Sequence, residues 1–110
     1  MTFDEYQKQA LTTAHNTYES LMERTIWAMG VAGEAGEVVE KWKKIVAYKE
    51  GRVSDEDLDD LAKELGDVVW YIAVMADSLG LSFEDVMQRN VEKLKSRKAR
   101  GVIKGAGDNR

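Results

Sequence analysis

Two pairs of acidic residues are the feature of this sequence best suited to chemistry. One pair lies in Glu34-Ala-Gly-Glu37 and the other in Glu64-Leu-Gly-Asp67, and within each pair the acids are three positions apart. On a helix, residues at that spacing are neighbours on one face. If two such helices pack antiparallel, four carboxylates converge, and the cluster repels itself unless protons or cations neutralise it. The spacing therefore predicts a divalent-metal site, with a structural charge cluster as the alternative.

The residue types limit which metal this site would hold. All four are oxygen donors, which suit hard cations such as Mg²⁺ or Mn²⁺. The chain has no cysteine and a single histidine, His15, whereas zinc sites usually use thiolates or imidazoles. The Glu-x-x-His motif of ferritin-like di-iron bundles is also absent. Because Mg²⁺ is typically held by a few carboxylates together with substrate phosphates, we expect a phosphorylated ligand to complete the site.

Four helices are predicted to position these acids. Periodicity and hydroxyl caps place helix one at residues 3 to about 23, helix two from about 25 to 49, helix three from 54 to Gly80, and helix four from 82 to 99. Helix three carries an apolar seam at alternating steps of three and four, which comprises Leu58, Leu61, Leu65, Val68, Ile72, Met75 and Leu79. Such a seam is typical of helical bundles and of coiled coils. We predict an all-α protein of four helices.

The surroundings of the acids are unusual for surface carboxylates. Glu34 falls on the apolar stripe of helix two, between Val31 and Val38, although charged groups are seldom buried without a partner. Four glycines also lie in these two helices, each at a cost of about 1 kcal/mol relative to alanine: Gly30, Gly33, Gly36 and Gly66. Either tight helix packing or room for metal, water and phosphate would explain them.

Helix three also predicts an assembly. From Val68 to Ala76 it is apolar on every side, which implies burial all round, and so short a chain can hardly surround it. We therefore expect a homo-oligomer. Residues 1–98 form the helical domain, and residues 99–110 form a basic, glycine-rich C-terminal tail that is either flexible or a lid.

The net charge of −4 is divided unevenly along the chain. The last 22 residues carry eight Lys or Arg and two acids, so the rest is strongly acidic. That overall sign argues against stable nucleic-acid binding. No signal-peptide pattern and no apolar run of membrane-spanning length is present. A cytoplasmic protein without a membrane partner is expected.

At this point the motifs resemble a known family. The two acidic pairs with 26 residues between them, together with Asn90-Val-Glu-Lys93, are similar to the signature of MazG-like, all-α nucleoside triphosphate pyrophosphohydrolases. The resemblance spans about residues 3 to 98, and it implies an antiparallel four-helix bundle that forms a homodimer or homotetramer, with sites near subunit contacts. It also implies hydrolysis of a (d)NTP to the monophosphate and pyrophosphate with Mg²⁺. After helix four, Arg97-Lys98-Ala99 departs from the Arg-aromatic-Pro ending of many relatives.

Carried over by position, the resemblance assigns roles to individual residues. The metal ligands become Glu34, Glu37, Glu64 and Asp67. Either Glu37 or Glu34 orients the attacking water, and the sequence does not choose between them. Asn90 and Lys93 are expected to meet sugar or phosphate. Lys41 is a further phosphate candidate with a solvated surface lysine as the alternative, and Tyr71 is a candidate neighbour of base or sugar with a core tyrosine as the alternative.

Three rival functions stay open on the sequence. Phosphoribosyl-ATP hydrolysis or the hydrolysis of one pyrimidine triphosphate would use the same motif. A non-catalytic helical interaction protein would bind Mg²⁺ structurally. A nucleic-acid-binding module would use the basic segment from Arg89 to Arg110.

Overall fold

The computed structural model describes residues 1–110 and contains four α-helices without a β-strand. The all-α prediction is confirmed. The helices are α1 (Phe3–Leu11), α2 (Ser20–Lys49), α3 (Asp55–Ser78) and α4 (Phe83–Ala99). No single helix is long and apolar enough to cross a membrane, although α3 and α4 taken together across their bend reach that length and composition.

The predicted first helix is wrong in its second half. The helix ends at Leu11, because the hydroxyls of Thr12 and Thr13 donate to backbone carbonyl oxygens three residues earlier. The Asn16 side chain then accepts a hydrogen bond from the backbone N–H of Tyr18. Such side chains offer the backbone an alternative to helix. His15 therefore lies exposed in the connecting segment, and α2 begins at Ser20, earlier than predicted.

The turn between α2 and α3 follows the sequence signals closely. Helix α2 ends where Glu50 and Gly51 adopt positive φ angles of 55° and 79°, a conformation that suits glycine. Ser54 and Asp57 then form a capping box, in which each side chain accepts a hydrogen bond from the backbone N–H of the other. Lys49 donates to the same Asp57 carboxylate at 2.7 Å. The turn is thereby fixed from both helices.

Helices α2 and α3 pack antiparallel as a long hairpin. Near the turn, Lys41 pairs with Asp60 at 3.7 Å. Further along, the ring of Tyr71 lies where a side chain on Gly30 would be. At the far end, the Arg24 guanidinium donates to the carbonyl oxygen of Ser78. These contacts define one register along the whole hairpin.

Helix α1 and the start of α4 are joined to this hairpin by one buried side chain. The amide nitrogen of Gln7 donates to the carbonyl oxygens of Ala73 and Leu81, and its oxygen accepts from the N–H of Phe83. All three hydrogen bonds of this amide are internal, so the burial of Gln7 leaves neither its nitrogen nor its oxygen unpaired. Around it lies a core cluster made of Ala10, Trp27, Ala73, Val74 and Phe83.

Helix α4 turns away from the hairpin. It leaves α3 at a bend of 103° and packs against α1 and α3, while its backbone does not approach α2. The apolar seam of α3 consequently stays open in the single chain, where Leu58, Leu65 and Leu79 are 56, 54 and 49% exposed. The radius of gyration is 16.9 Å, against about 13 Å for a compact domain of this size. One chain alone therefore does not close a four-helix bundle.

The contact between Gly30 and Tyr71 gives a test of the hairpin. Gly30→Ala should lower the free energy of unfolding by about 1–3 kcal/mol, because the added methyl group overpacks against the ring. Gly33→Ala is the matched control, since no atom lies near that position and alanine improves helix propensity by up to about 1 kcal/mol. Urea unfolding measures both. Equal losses in the two variants would contradict the close approach.

The capping box gives a pH-dependent test. The hydrogen bond from Lys49, followed by that from the Ser54 backbone, lowers the pKa of Asp57 from 3.8 to about 2. The stabilisation by its ionised form is therefore complete above 3.8 and is lost as the pH falls through about 2. Asp57→Asn should be less stable than the wild type at neutral pH, and urea unfolding at a series of lower pH values should show the difference shrinking. Asp59→Asn, an exposed neighbour without an ion pair, should show no such trend.

Candidate metal site

Three carboxylates meet in the middle of the α2–α3 hairpin. Glu34 of α2 and Glu64 and Asp67 of α3 each offer an oxygen atom, and these oxygens lie within 4.8 Å of one another. Glu34 and Glu64 are half-buried, and Asp67 is exposed. These three residues, called here the acidic triad, have the donor type and mutual spacing that a hard divalent cation requires.

The hairpin register explains the triad and the position of the fourth acid. With Gly30 against Tyr71, antiparallel pairing brings Glu34 opposite Asp67 and Glu37 opposite Glu64. The Glu37 side chain is nevertheless exposed and stands outside the triad. Three of the four predicted ligands are thus brought together, while Glu37 lies one turn away at the edge.

The electrostatics show that the triad lacks a protein counter-charge. Desolvation raises the pKa of Glu34, and the negative charges of Asp67, Glu64 and Glu37 raise it further. No lysine or arginine lies within ion-pair distance of any of these four acids. A charge cluster that served only structure would be expected to contain its own cations. The arrangement favours an external cation.

The glycines around the triad fall into two groups. Gly30 is required by the close approach of Tyr71, as tight packing predicts. A side chain on Gly33, Gly36 or Gly66 would meet no atom of the chain. These three glycines therefore leave open space beside the acids, on a surface with room for a ligand or a second chain.

Two other predicted site residues lie in α2 and α3 but face protein partners. Lys41 is paired with Asp60 and lines a small cavity of about 180 Å³ near the α2–α3 turn. The Tyr71 ring packs edge-on against Trp70 at 4.9 Å and lies 6.0 Å from Trp27, as a core side chain. Neither residue reaches into the acidic triad in this chain.

Asn90 and Lys93 form part of a second, separate region on α4. They line a cavity of about 380 Å³ that contains no acid of the triad. The Lys93 ammonium group lies 3.3 Å from the carboxylate of Asp108 in the tail. The single chain thus holds the predicted acidic and basic halves of the site on different surfaces.

Two features of the site were missed by sequence reasoning. Arg97 lies one turn after Lys93 and is buried. The spacing of these two basic residues, i and i+4, was the signal in the sequence that could have identified Arg97.

Tyr6 of α1 is the second feature. Burial and then the charge of Asp67 raise the pKa of its hydroxyl. Tyr6 also lines the largest cavity, about 480 Å³ and mostly apolar, whose other lining residues are Met1, Thr2, Phe3, Val69, Phe83 and Glu84. The lining of this cavity contains no acid of the triad, but one of its residues, Tyr6, is within the electrostatic influence of Asp67.

The chain is an all-α protein in which a helical hairpin brings three carboxylates together, and comparison with known proteins identifies the family. Residues 17–102 match the model of the MazG nucleotide pyrophosphohydrolase domain. The chain therefore belongs to this family, whose members act on the pyrophosphate bonds of nucleotides. The resemblance stated from the acidic motifs is confirmed.

Two curated proteins are similar to the chain. The Gene 37 protein of Mycobacterium phage L5 is 55% identical over 82 residues, which cover 74% of this chain and 72% of the phage protein. The uncharacterized protein YvdC of Bacillus subtilis (strain 168) is 38% identical over 72 residues, covering 58% of this chain and 65% of YvdC. No solved structure matches the chain.

Metal binding by the triad can be tested through stability. In metal-free buffer, Glu34→Gln should raise the melting temperature, because it removes a charge that three neighbouring acids repel. Mg²⁺ or Mn²⁺ should stabilise the wild type, by about 2.7 kcal/mol at one hundred times the dissociation constant, and should stabilise this variant far less.

Glu40→Gln provides the control, since Glu40 pairs with Lys43 and Lys44 and lies outside the triad. It should retain the full response to metal. Differential scanning fluorimetry with and without each ion checks both variants, and an unchanged response in Glu34→Gln would remove that residue from the metal site.

Proposed function

We propose that this protein is a Mg²⁺-dependent nucleoside triphosphate pyrophosphohydrolase. It would cleave the bond between the α- and β-phosphates of a (d)NTP and release the (d)NMP and pyrophosphate. The observation that carries the proposal is the acidic triad without a protein cation, in a chain of the MazG family. An all-oxygen carboxylate site of this kind suits Mg²⁺, with Mn²⁺ as the alternative, and is completed by phosphate oxygens.

The triad residues Glu34, Glu64 and Asp67 would hold the cation. When bound, it neutralises phosphate charge and makes a coordinated water more acidic. Glu37 is the better candidate to orient the attacking water, because it lies exposed beside the triad and outside its closest grouping. Its carboxylate would accept the proton as the water oxygen bonds to the α-phosphorus, and the α–β bridging oxygen would leave with pyrophosphate. Positioning and electrostatics would supply most of the rate enhancement.

The apolar cavity lined by Tyr6 supports a nucleotide as the ligand. Phe3, Tyr6 and Phe83 offer aromatic surface there, and the charge of Asp67 reaches the Tyr6 hydroxyl. Aromatic side chains stack on any base. A triphosphate at the acids would therefore have a neighbouring place for its base, which a purely structural metal site would not need.

A homodimer or homotetramer is part of the proposal. The exposed leucines of the α3 seam and the large radius of gyration support a partner chain, because burial of such a seam is the main driving force of association. A second copy would also offer its α4 to the triad of the first. Asn90 and Lys93 would then contact sugar or phosphate across the interface, while Lys41 and Tyr71 would act on substrate only after leaving their present partners.

Product analysis tests the reaction against its rivals. The protein is incubated with a panel of ordinary and damaged (d)NTPs and with phosphoribosyl-ATP in the presence of Mg²⁺, and the products are identified. Monophosphate plus pyrophosphate supports the proposal, and orthophosphate plus diphosphate would contradict it. If Mg²⁺ stabilises the protein while no nucleotide is consumed, the non-catalytic interaction protein is the correct interpretation.

The role of Glu37 gives a sharper prediction. Glu37→Gln should keep the fold, because the side chain is exposed, and should lower metal-dependent pyrophosphate release by at least about 100-fold, as expected for loss of a general base. The control Glu40→Gln changes the same functional group one turn further along α2. It should retain the wild-type rate. Undiminished turnover by Glu37→Gln would exclude Glu37 from the mechanism.

A further inference from the structure

The tail segment 101–110 folds back onto α4 and places a carboxylate on a buried arginine. Arg97 is only 5% exposed. One of its terminal nitrogens donates to the backbone oxygen of Asp108 at 2.7 Å and to the Asp108 carboxylate at 3.2 Å. The Nε atom of Arg97 is buried and has no hydrogen-bond partner. A buried N–H group without a hydrogen-bond acceptor lowers the stability of the folded protein. The tail therefore satisfies only part of the hydrogen-bonding capacity of the Arg97 guanidinium.

Lys93 completes the cationic side of the same contact. It lies one turn before Arg97, and its ammonium group is 3.3 Å from the same carboxylate oxygen of Asp108. The hydrogen bonds from Arg97 and Lys93 lower the pKa of Asp108. The Asp108 side chain is nevertheless 83% exposed. The two cationic side chains therefore lie on α4, whereas the carboxylate that pairs with them lies at the surface, where another anion could replace it.

The tail segment has internal contacts of its own, and besides Asp108 it is held at the end of α4 by Arg100, whose guanidinium donates to the carbonyl oxygen of Arg110 at 2.7 Å. The Arg110 guanidinium donates to the carbonyl oxygens of Val102, Ile103 and Gly107. Gly107 has a positive φ of 82°, which allows the tight return of the chain. These bonds make the segment a small closed loop. Its link to Lys93 runs through Asp108 alone.

We propose that Lys93 and Arg97 form an oxyanion site for the phosphate groups of a nucleotide or of pyrophosphate, and that Asp108 of the same chain occupies it as an intramolecular competitor. Carboxylate and phosphate oxygens are both good acceptors for a guanidinium, and a phosphate group has more oxygens with which to satisfy the free Nε. The proposal rests on the proposed function for the identity of the ligand. Entry of phosphate displaces Asp108, and the tail thereby lowers the apparent affinity by the fraction of sites it occupies.

Binding of pyrophosphate without metal tests this site separately from catalysis. Titration calorimetry is done in low-salt, metal-stripped buffer that contains no sulfate, phosphate or anionic chelator, because these would compete. Asp108→Asn should bind pyrophosphate about three- to tenfold more tightly than the wild type. Asp59→Asn removes the same charge from an exposed site on α3 and should bind like the wild type. Lys93→Gln should weaken binding in both the wild-type and the Asp108→Asn backgrounds.

Displacement of the tail is measured in the same samples by limited trypsin digestion, because Lys104 lies exposed inside the tail segment. Saturating pyrophosphate should speed cleavage after Lys104 in the wild type, and Asp108→Asn should show the faster cleavage without ligand. A non-hydrolysable dNTP analogue in place of pyrophosphate shows whether substrate phosphates displace the tail as the product does. Unchanged cleavage on pyrophosphate binding, or equal affinities of Asp108→Asn and Asp59→Asn, would overturn the proposal.

Failure of this proposal and failure of the proposed function are distinguishable. The calorimetry requires neither Mg²⁺ nor turnover, so an inactive protein could still show competition by Asp108. Conversely, if the protein is active but its affinity for pyrophosphate is unchanged by Asp108→Asn, the proposed function stands and the proposed competition by Asp108 is wrong.

Discussion

The register of the α2–α3 hairpin is the constraint on which the rest of the structure depends. It is fixed at one end by the capping box and the Lys49–Asp57 ion pair and in its middle by the ring of Tyr71 against Gly30. A shift by one residue would rotate the acids of α3 by about 100° around the helix axis and would disperse the triad. The candidate metal site is therefore a property of helix pairing rather than of a loop.

The parts of this fold that depend on local chemistry could be predicted from the sequence. Ser54 and Ser82 begin α3 and α4 because a hydroxyl caps the first amides, and the meeting of Glu34 with Glu64 and Asp67 follows from spacing on two antiparallel helices. The break after Leu11 could not be predicted, because apolar residues continue at helical spacing while threonine hydroxyls compete for the backbone.

Features that depend on contacts between residues far apart in the sequence could not be predicted from local patterns. The direction of α4 depends on Gln7, a polar residue on α1 that no periodicity marks as buried. The buried Arg97 donates to Asp108, in a tail whose composition is typical of disorder. The exposure of Glu37 beside the triad also escapes a spacing argument, because i, i+3 neighbours on one helix need not point at the same atom.

The contacts of Gln7 have a mechanical consequence. The hairpin that carries the acids and the α4 segment that carries Lys93 are joined by the short connection after α3, by the packing of α4 on α3, and through α1. A single amide bonds to α3 at Ala73, to the connection at Leu81 and to the first residue of α4 at Phe83. This amide therefore helps to hold α4 at its angle to the α2–α3 hairpin. The orientation of Lys93 relative to the acidic triad therefore depends in part on an uncharged side chain that belongs to neither group.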